Sequence, residues 1–346
     1  MHEFMPLNEE SARAYLGNMA VLAGIEQIEY QDGIARGLRA YRVHSGELEF
    51  DVLIDKCLDI GNLYFKGLPM NFLAQPGLMD SAFSREGENS ARSVMGGMFF
   101  TCGLNNVGPL QKLENGQSLP QHGFIRNTPA FNHGCRTYWN EKQQYVLEIW
   151  GSMRESALFG SNYLLERKIR SVLGENQIEI CDTITNDGGS GRIPLMLLYH
   201  FNTGYPLLDE NAKLDAVFLS TLPRDEIAAA GMKKHDFRLA EVPQDQFPEQ
   251  VFYHKIKAVN GRATCKLINT ASHFGFQLSY DSKELPYLLQ WKCCDKRNYV
   301  MGLEPANCFP EGLYGARNHD VLRYLEHGKS VETQLQFAFT HSECKK

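Results

Sequence analysis

Through most of this chain, apolar side chains recur at every second position. Leu48 to Asp55 reads LEFDVLID and Tyr145 to Trp150 reads YVLEIW. The same alternation runs through Ile178 to Ile184, Phe274 to Tyr280 and Val331 to Phe339. A period of two predicts strands with one face on a core and the other toward solvent or a cleft. Tyr163 to Val172 is a further strand, and Gly174-Glu175-Asn176 after it has hairpin chemistry. Asn186-Asp187-Gly188-Gly189 is a second turn cluster. Helical signal is scarce. Asn8 to Leu16 predicts a short helix capped by Asn8, and Asp225 to Gly231 another, ended by its glycine. Many strands with so few helices between them argue against βαβ units and for an antiparallel sandwich or barrel. With no linker, low-complexity tract or fixed-period repeat, one large all-β domain is expected.

Composition narrows the function classes. A chain of 346 residues, 43% of them hydrophobic, can build a large core without disulfides or metals. A net charge of −6 with no block of like charges argues against a nucleic-acid binder, while leaving room for a small anion held by one arginine. The most apolar stretch, Ile193 to Tyr199, is far short of the roughly 18 residues that span a bilayer, so no membrane segment is expected. Nine cysteines are an odd number, Cys293 and Cys294 are adjacent, and no CxxC occurs. Reduced thiols fit this better than a disulfide framework. The first residues lack the basic start and apolar run of a secretory signal, so the expected location is the cytoplasm. His133 and Cys135 form only a lone HxC, and no metal site or cofactor is expected.

Polar residues that interrupt apolar or glycine-rich runs are the candidates for chemistry. Gly96 to Gly108 reads GGMFFTCGLNNVG, and Leu119 to Ala130, LPQHGFIRNTPA, brings His122 and Arg126 to the same region. In Leu198 to Leu208, LYHFNTGYPLL, His200 and Asn202 share one face of a strand. In Leu288 to Asn307, Trp291 and Lys292 lie near the start, and Glu304 ends the apolar run Tyr299 to Leu303. Each has an ordinary alternative. A lone strand histidine is more often a satisfied structural residue, a strand-end glutamate a solvated one, and a tryptophan part of the core. No GxGxxG, GxSxG or GxxxxGK[ST] is present, which leaves nucleotide binding, serine hydrolysis and P-loop chemistry unsupported. Jointly, two histidines and one glutamate are the parts of an acid–base pair with an added hydrogen-bond donor.

These segments also carry a resemblance to a known family. LDIG and YFKG within Leu58 to Gly67, GGMFFTCGLNNVG, QHGFIRNTPA, YHFNTGYPLLDE, and LPYLLQWK with GLEPAN run in order over roughly residues 40 to 340. The ordered set resembles the aldose 1-epimerase (galactose mutarotase) superfamily, most closely its branch known as domain of unknown function 4432. The resemblance implies a β-supersandwich with a sugar cleft on its concave sheet. On that reading the chain is a single domain over 1–346, with an N-terminal extension over 1–35 and the sandwich over 36–340. The resemblance also implies roles. Glu304 is the general base that takes the proton from the anomeric hydroxyl, His200 the general acid at the ring oxygen, and His122 a hydrogen-bond partner of sugar hydroxyls. Ring opening, rotation about C1–C2 and reclosure then interconvert the anomers without metal or cofactor.

The resemblance has departures. Its better-known members carry an asparagine–arginine step ahead of the first histidine, for which Arg92 or Asn105 are the stand-ins here, and a later aspartate that Asp209 approximates. Its closer branch implies arginines where this chain has Lys56 and Phe124, with Arg126 two positions further on. Lysine is a point charge without the bidentate fork of arginine. The candidate substrate-binding residues are therefore His122, Arg126, Asn202, Trp291, Lys292, Asn105 and Arg92, with Arg126, Lys292 or Arg92 available to an acidic sugar. The competing readings are a carbohydrate-binding or sensing protein on the same fold, and a lyase or glycosidase relative, the latter using Glu304 with Asp59 or Glu311 as its second carboxylate. The expected partner is a small-molecule sugar, and the chain a monomer or homodimer.

Overall fold

The computed structural model describes residues 8–84 and 87–342. The alternating segments fold as strands, nearly all longer than their apolar cores. The chain first lays down β1 (Ala23–Glu29), β2 (Arg39–Ser45), β3 (Leu48–Leu53), β4 (Asp59–Phe65) and β5 (Phe99–Leu104). It then crosses to a second layer for β6 (Phe131–Trp139), β7 (Tyr145–Ser156), β8 (Asn162–Val172) and β9 (Gln177–Asn186). β10 (Ile193–Thr203), β11 (Phe218–Pro223) and β12 (Gln250–Ile256) return to the first layer. β13 (Arg262–Asn269) and β14 (Phe274–Asp281) go back to the second, β15 (Tyr287–Asp295) and β16 (Asn298–Ala306) to the first, and β17 (Ser330–His341) to the second.

The first sheet has the order β1-β2-β3-β4-β5-β10-β16-β15-β12-β11, and the second β13-β14-β17-β9-β8-β7-β6, with Ala212–Asp215 outside β13. Neighbours in both sheets run antiparallel, as hairpin-connected period-two segments require. This is the all-β, two-sheet architecture that the periodicity predicts. The first sheet also begins ahead of residue 36, because β1 pairs along the whole of β2.

Two of the predicted details change. Asn8 does cap a short helix, Glu9–Tyr15, through its side chain and Ser11 N. The second helix, however, runs Glu226–Lys234 and passes through Gly231 instead of ending there. That glycine packs on β12, where any side chain would run into the Gln250 amide. A third helix, Gly312–Asn318, follows the third candidate segment and was not legible as periodicity. Among the described residues, no helix is long and apolar enough to cross a membrane.

The main core lies between the sheets. Phe50, Phe99, Tyr199, Phe201, Leu288 and Leu303 from the first layer meet Ile149, Leu165, Ile180, Phe276, Leu335 and Phe337 from the second. At its centre stands a fully buried cation, Arg167 of β8. Its Nε and Nη2 donate to the two oxygens of Asp182 at 2.8 and 2.6 Å, and Nη1 donates to Asp59 Oδ1 at 2.9 Å. Nη1 also reaches the Cys57 carbonyl, and Nη2 the Thr101 hydroxyl. Tyr199 donates to Asp182 at 2.7 Å, and the guanidinium lies 5.0 Å from the Phe99 ring centroid. Burial pushes the Asp59 carboxyl up to about 6, although Arg167 and Thr101 pull it back.

Removing one partner of a buried ion cluster leaves the others uncompensated, typically at a cost of about 3–5 kcal/mol. Arg167→Met is therefore expected to lower the unfolding free energy by that order, read in urea titration as a lower midpoint at unchanged slope.

Candidate active site

The other face of the first sheet holds the chemistry, and strand alternation decides which residues reach it. On β10, Leu197, Tyr199 and Phe201 point into the inter-sheet core, so Met196, Leu198, His200 and Asn202 point the opposite way. On β16 the same rule sends Met301 and Leu303 inward and Gly302, Glu304 and Ala306 outward. The register that pairs Leu198 with Ala306 and Phe201 with Leu303 sets His200 directly across from Glu304. On its other side His200 pairs with Phe100 of β5. A hundred residues of sequence separation are thereby reduced to one cross-strand step.

These residues line a cleft of about 830 Å³, whose apolar wall includes Phe72, Phe100, Val251 and Trp291 and whose polar groups include Gln121, His122, Arg224, Glu249 and Glu311. His200 Nε2 and Glu304 Oε1 are 3.0 Å apart. The contact is not aligned as a hydrogen bond, and neither Glu304 Oε1 nor His200 Nδ1 has a hydrogen-bond partner among the described residues. The His200 ring is held by rings instead. Phe100 stacks on it at 4.4 Å and 17°, while Trp291 and His122 meet it edge-on at 5.6 and 6.2 Å.

Burial dominates the electrostatics. It pushes the Glu304 carboxyl up to about 8, with Glu249 adding to the rise and Arg224 opposing it. It holds His200 well below the ordinary imidazole range, helped by His122 and Arg126. His122 is lowered to about 3 by burial and by Arg126. At neutral pH both imidazoles are uncharged, and the Glu304–His200 pair carries one proton.

The loop that brings His122 is built on close backbone approach. His122 has φ +60°, an uncommon conformation for a residue with a side chain. It is pinned there because its N–H donates to the Gly108 carbonyl and its own carbonyl accepts from Gly103 N. Any Cβ on Gly123 would overlap the Gly103 carbonyl oxygen, so the glycine after the histidine is a packing requirement. The Gly108 N–H donates to His122 Nδ1 at 3.4 Å, which leaves the ring hydrogen on Nε2.

The family described as domain of unknown function DUF4432 matches residues 35–339. The chain belongs to that family. Among solved structures, this DUF4432 chain superposes on a Klebsiella pneumoniae protein provisionally assigned as an aldose 1-epimerase, with a TM-score of 0.84 and 24% identity over 92% of this chain and 83% of that one. A galactose mutarotase-like protein from Clostridium acetobutylicum gives 0.62 at 15% identity, covering 93% of this chain and 100% of that one. An aldose epimerase homologue from C. elegans gives 0.54 at 14%, with 93% and 100% covered. At these identities the likeness establishes the galactose mutarotase-like fold. A search of curated proteins by sequence gives no match.

The sequence-predicted residues divide on this structure. Glu304, His200, His122, Asn202 and Trp291 line the cleft. Asn202 is partly engaged elsewhere, donating to the Gly97 carbonyl at 3.0 Å. Lys292 does not join them. It neighbours Trp291 on β15, so alternation turns it to the opposite face, where it is buried against Glu241 Oε1 at 2.8 Å. Arg126 is also buried, behind Phe100, lining a separate cavity of about 20 Å³ with Lys56 and Asp59. Arg92 is exposed at the end of the turn Gly87–Ser93, and Asn105 lies outside the cleft wall. Asp209 is held in a turn with Asn211 and Asn269. Asp59, a second carboxylate on the glycosidase reading, faces the inter-sheet core. Glu311 does reach the cleft but is tied to Tyr253 and His319.

Sequence reading missed Arg224, Glu249, Gln121 and Phe100. Gln121 was within reach, being next to His122. Arg224 and Glu249 sit in ordinary charged loops at strand ends and offer no pattern until the strands are assembled.

Gly302 leaves the space that the pair occupies. A Cβ there would stand 2.5 Å from Glu304 Oε1 and 3.1 Å from both His200 Cε1 and Trp291 Cβ. Gly302→Ala is expected to keep the fold, checked by circular dichroism, while displacing Glu304. Any catalysis carried by this pair should fall about 10²-fold, the usual effect of a misplacement near 1 Å.

Proposed function

We propose that this protein is an aldose 1-epimerase, interconverting the α and β anomers of a monosaccharide. The observation that carries the reading is the His200–Glu304 pair, buried in the cleft with His200 Nε2 and Glu304 Oε1 3.0 Å apart. Ring opening needs one acceptor and one donor at the same time. A base takes the O1 proton, an acid protonates the ring oxygen O5, the C1–O5 bond breaks and C1–O1 becomes a carbonyl. After rotation about C1–C2 the steps reverse on the other face, and the two residues exchange roles. A pair with one proton supplies both functions in either direction, and the open-chain aldehyde needs no other group. The unpartnered atoms, Glu304 Oε1 and His200 Nδ1, favour a ligand that completes them.

The rest of the wall suits a sugar. Phe100, Trp291 and Phe72 offer flat apolar surface to the C–H faces of a pyranose, and neutral His122 offers its Nε2–H to a hydroxyl. Lys292 and Arg92 lie outside the cleft wall, and Arg224, which does line it, is paired with Asp225 and Glu249, so the expected substrate is a free neutral aldose.

Two measurements test the reading by exchange spectroscopy of anomeric proton signals across a panel of aldoses. Glu304→Gln keeps the shape and removes the carboxyl that gives and takes the proton, and the enzyme-dependent exchange rate is expected to fall about 10²–10⁴-fold. Full activity in that variant would end the assignment. In the wild type, the acid form of the pair is lost as pH rises through the Glu304 value near 8, so kcat/KM should fall on an alkaline limb there. It should hold down to well below 6.5, where His200 takes a second proton. A calorimetric binding signal without exchange on any aldose would instead identify a sugar-binding protein.

A further inference from the structure

The same cleft carries a second set of charged groups that the acid–base scheme leaves idle. Glu249, one residue ahead of β12, accepts from Trp291 Nε1 at 2.8 Å and from Arg224 Nη2 at 3.1 Å. Arg224, one residue after β11, donates through Nε to Asp225 Oδ2 at 2.8 Å. The other oxygen of Asp225 caps the helix Glu226–Lys234 through Ala228 N, so the arginine is anchored to a rigid element. Arg224, Glu249 and Trp291 all line the cleft together with Glu304. The indole that Glu249 holds is the one standing edge-on to His200.

We propose that Glu249 and Arg224 form a tuning pair of opposite sign that sets the proton occupancy of the Glu304–His200 couple, with Glu249 also positioning Trp291 against His200. The proposal rests on the reading of that couple as the acid–base pair. A carboxylate facing a buried carboxyl favours its protonated form, and a guanidinium favours its ionised form. The two act on Glu304 in those senses, as the largest influences after burial itself. Half of the Glu249 side chain is exposed, 49%, against 28% for Arg224, so solvent weakens both effects. The other groups around the couple are His200 and Asn202 on β10, Cys102 on β5, His122 and Gln121 on the loop, Arg126 behind Phe100, and Glu311. None of these changes in the variants below, so a difference reads the pair alone.

The test measures Glu304 directly and turnover separately. Infrared difference spectra give the protonated-carboxyl stretch, assigned by its loss in Glu304→Gln, and its titration gives the midpoint in each protein. Glu249→Gln keeps an oxygen for the Trp291 N–H and removes the charge, so the midpoint should move down by about one pH unit. Arg224→Gln should move it up by a similar amount, and the double variant should return near wild type. Trp291→Phe keeps both charges, and should slow exchange without moving the midpoint. The alkaline limb of anomer exchange should follow the infrared midpoint. Midpoints that stay fixed, or move the same way in both single variants, overturn the proposal even if exchange is normal. Midpoints that move as stated in a protein that exchanges no sugar support the tuning pair and sink the epimerase reading instead.

Discussion

One guanidinium without exposure to water stands between the two sheets, and three chain segments close on it. An ion of this size is tolerated in a low-dielectric interior only when every donor has an acceptor and charge is matched nearby. Arg167 meets that condition by drawing Asp182 from the neighbouring strand, and Asp59, the Cys57 carbonyl and Thr101 from the opposite layer. The apolar core between the sheets is non-directional and would accept small slips. This cluster is directional and would not, because a shift of one residue exchanges the two faces of a strand.

That constraint reaches the cleft through the strands themselves. Thr101 is the residue after Phe100, and Tyr199, bonded to Asp182, is the residue before His200. Fixing Thr101 and Tyr199 on the inner face therefore fixes Phe100 and His200 on the outer one. Glu304 follows because β16 pairs with β10 in the register set by Leu198 and Phe201. The site is thus the reverse side of the core, and its accuracy is borrowed from packing that never touches a ligand.

The two polar centres differ in chemistry. Around Arg167 the charges are compensated by fixed partners, and the result is rigidity. Around Glu304 burial is just as deep, yet among the described residues no arginine or lysine is in direct contact with the carboxylate, and Arg224 acts on it only from across the cleft. The group therefore keeps its proton into the neutral range. Aromatic rings hold the imidazole where a second carboxylate would otherwise hold it, so its free nitrogen is not committed to a structural bond.

Much of this was written in the chain. Period-two alternation determined the strands, because a sheet with one buried face admits no other pattern. Glycine and proline around His122, His200 and Glu304 marked the candidate segments, and backbone does pass close at Gly123 against the Gly103 carbonyl and at Gly204 against the Asn71 carbonyl. The sequence alone could not say which of two adjacent polar residues faces the cleft. Trp291 and Lys292 were equal candidates until register assigned them to opposite sides of β15. Arg126 and Asp59 carried the right functional groups, but the assembled layers turned them behind Phe100 and into the core. Arg224 and Glu249 had no pattern at all, since neither belongs to a repeating face. Periodicity is a local property that fixes which elements form. Facing and proximity are set by pairing between strands a hundred residues apart, and only the tertiary structure decides those.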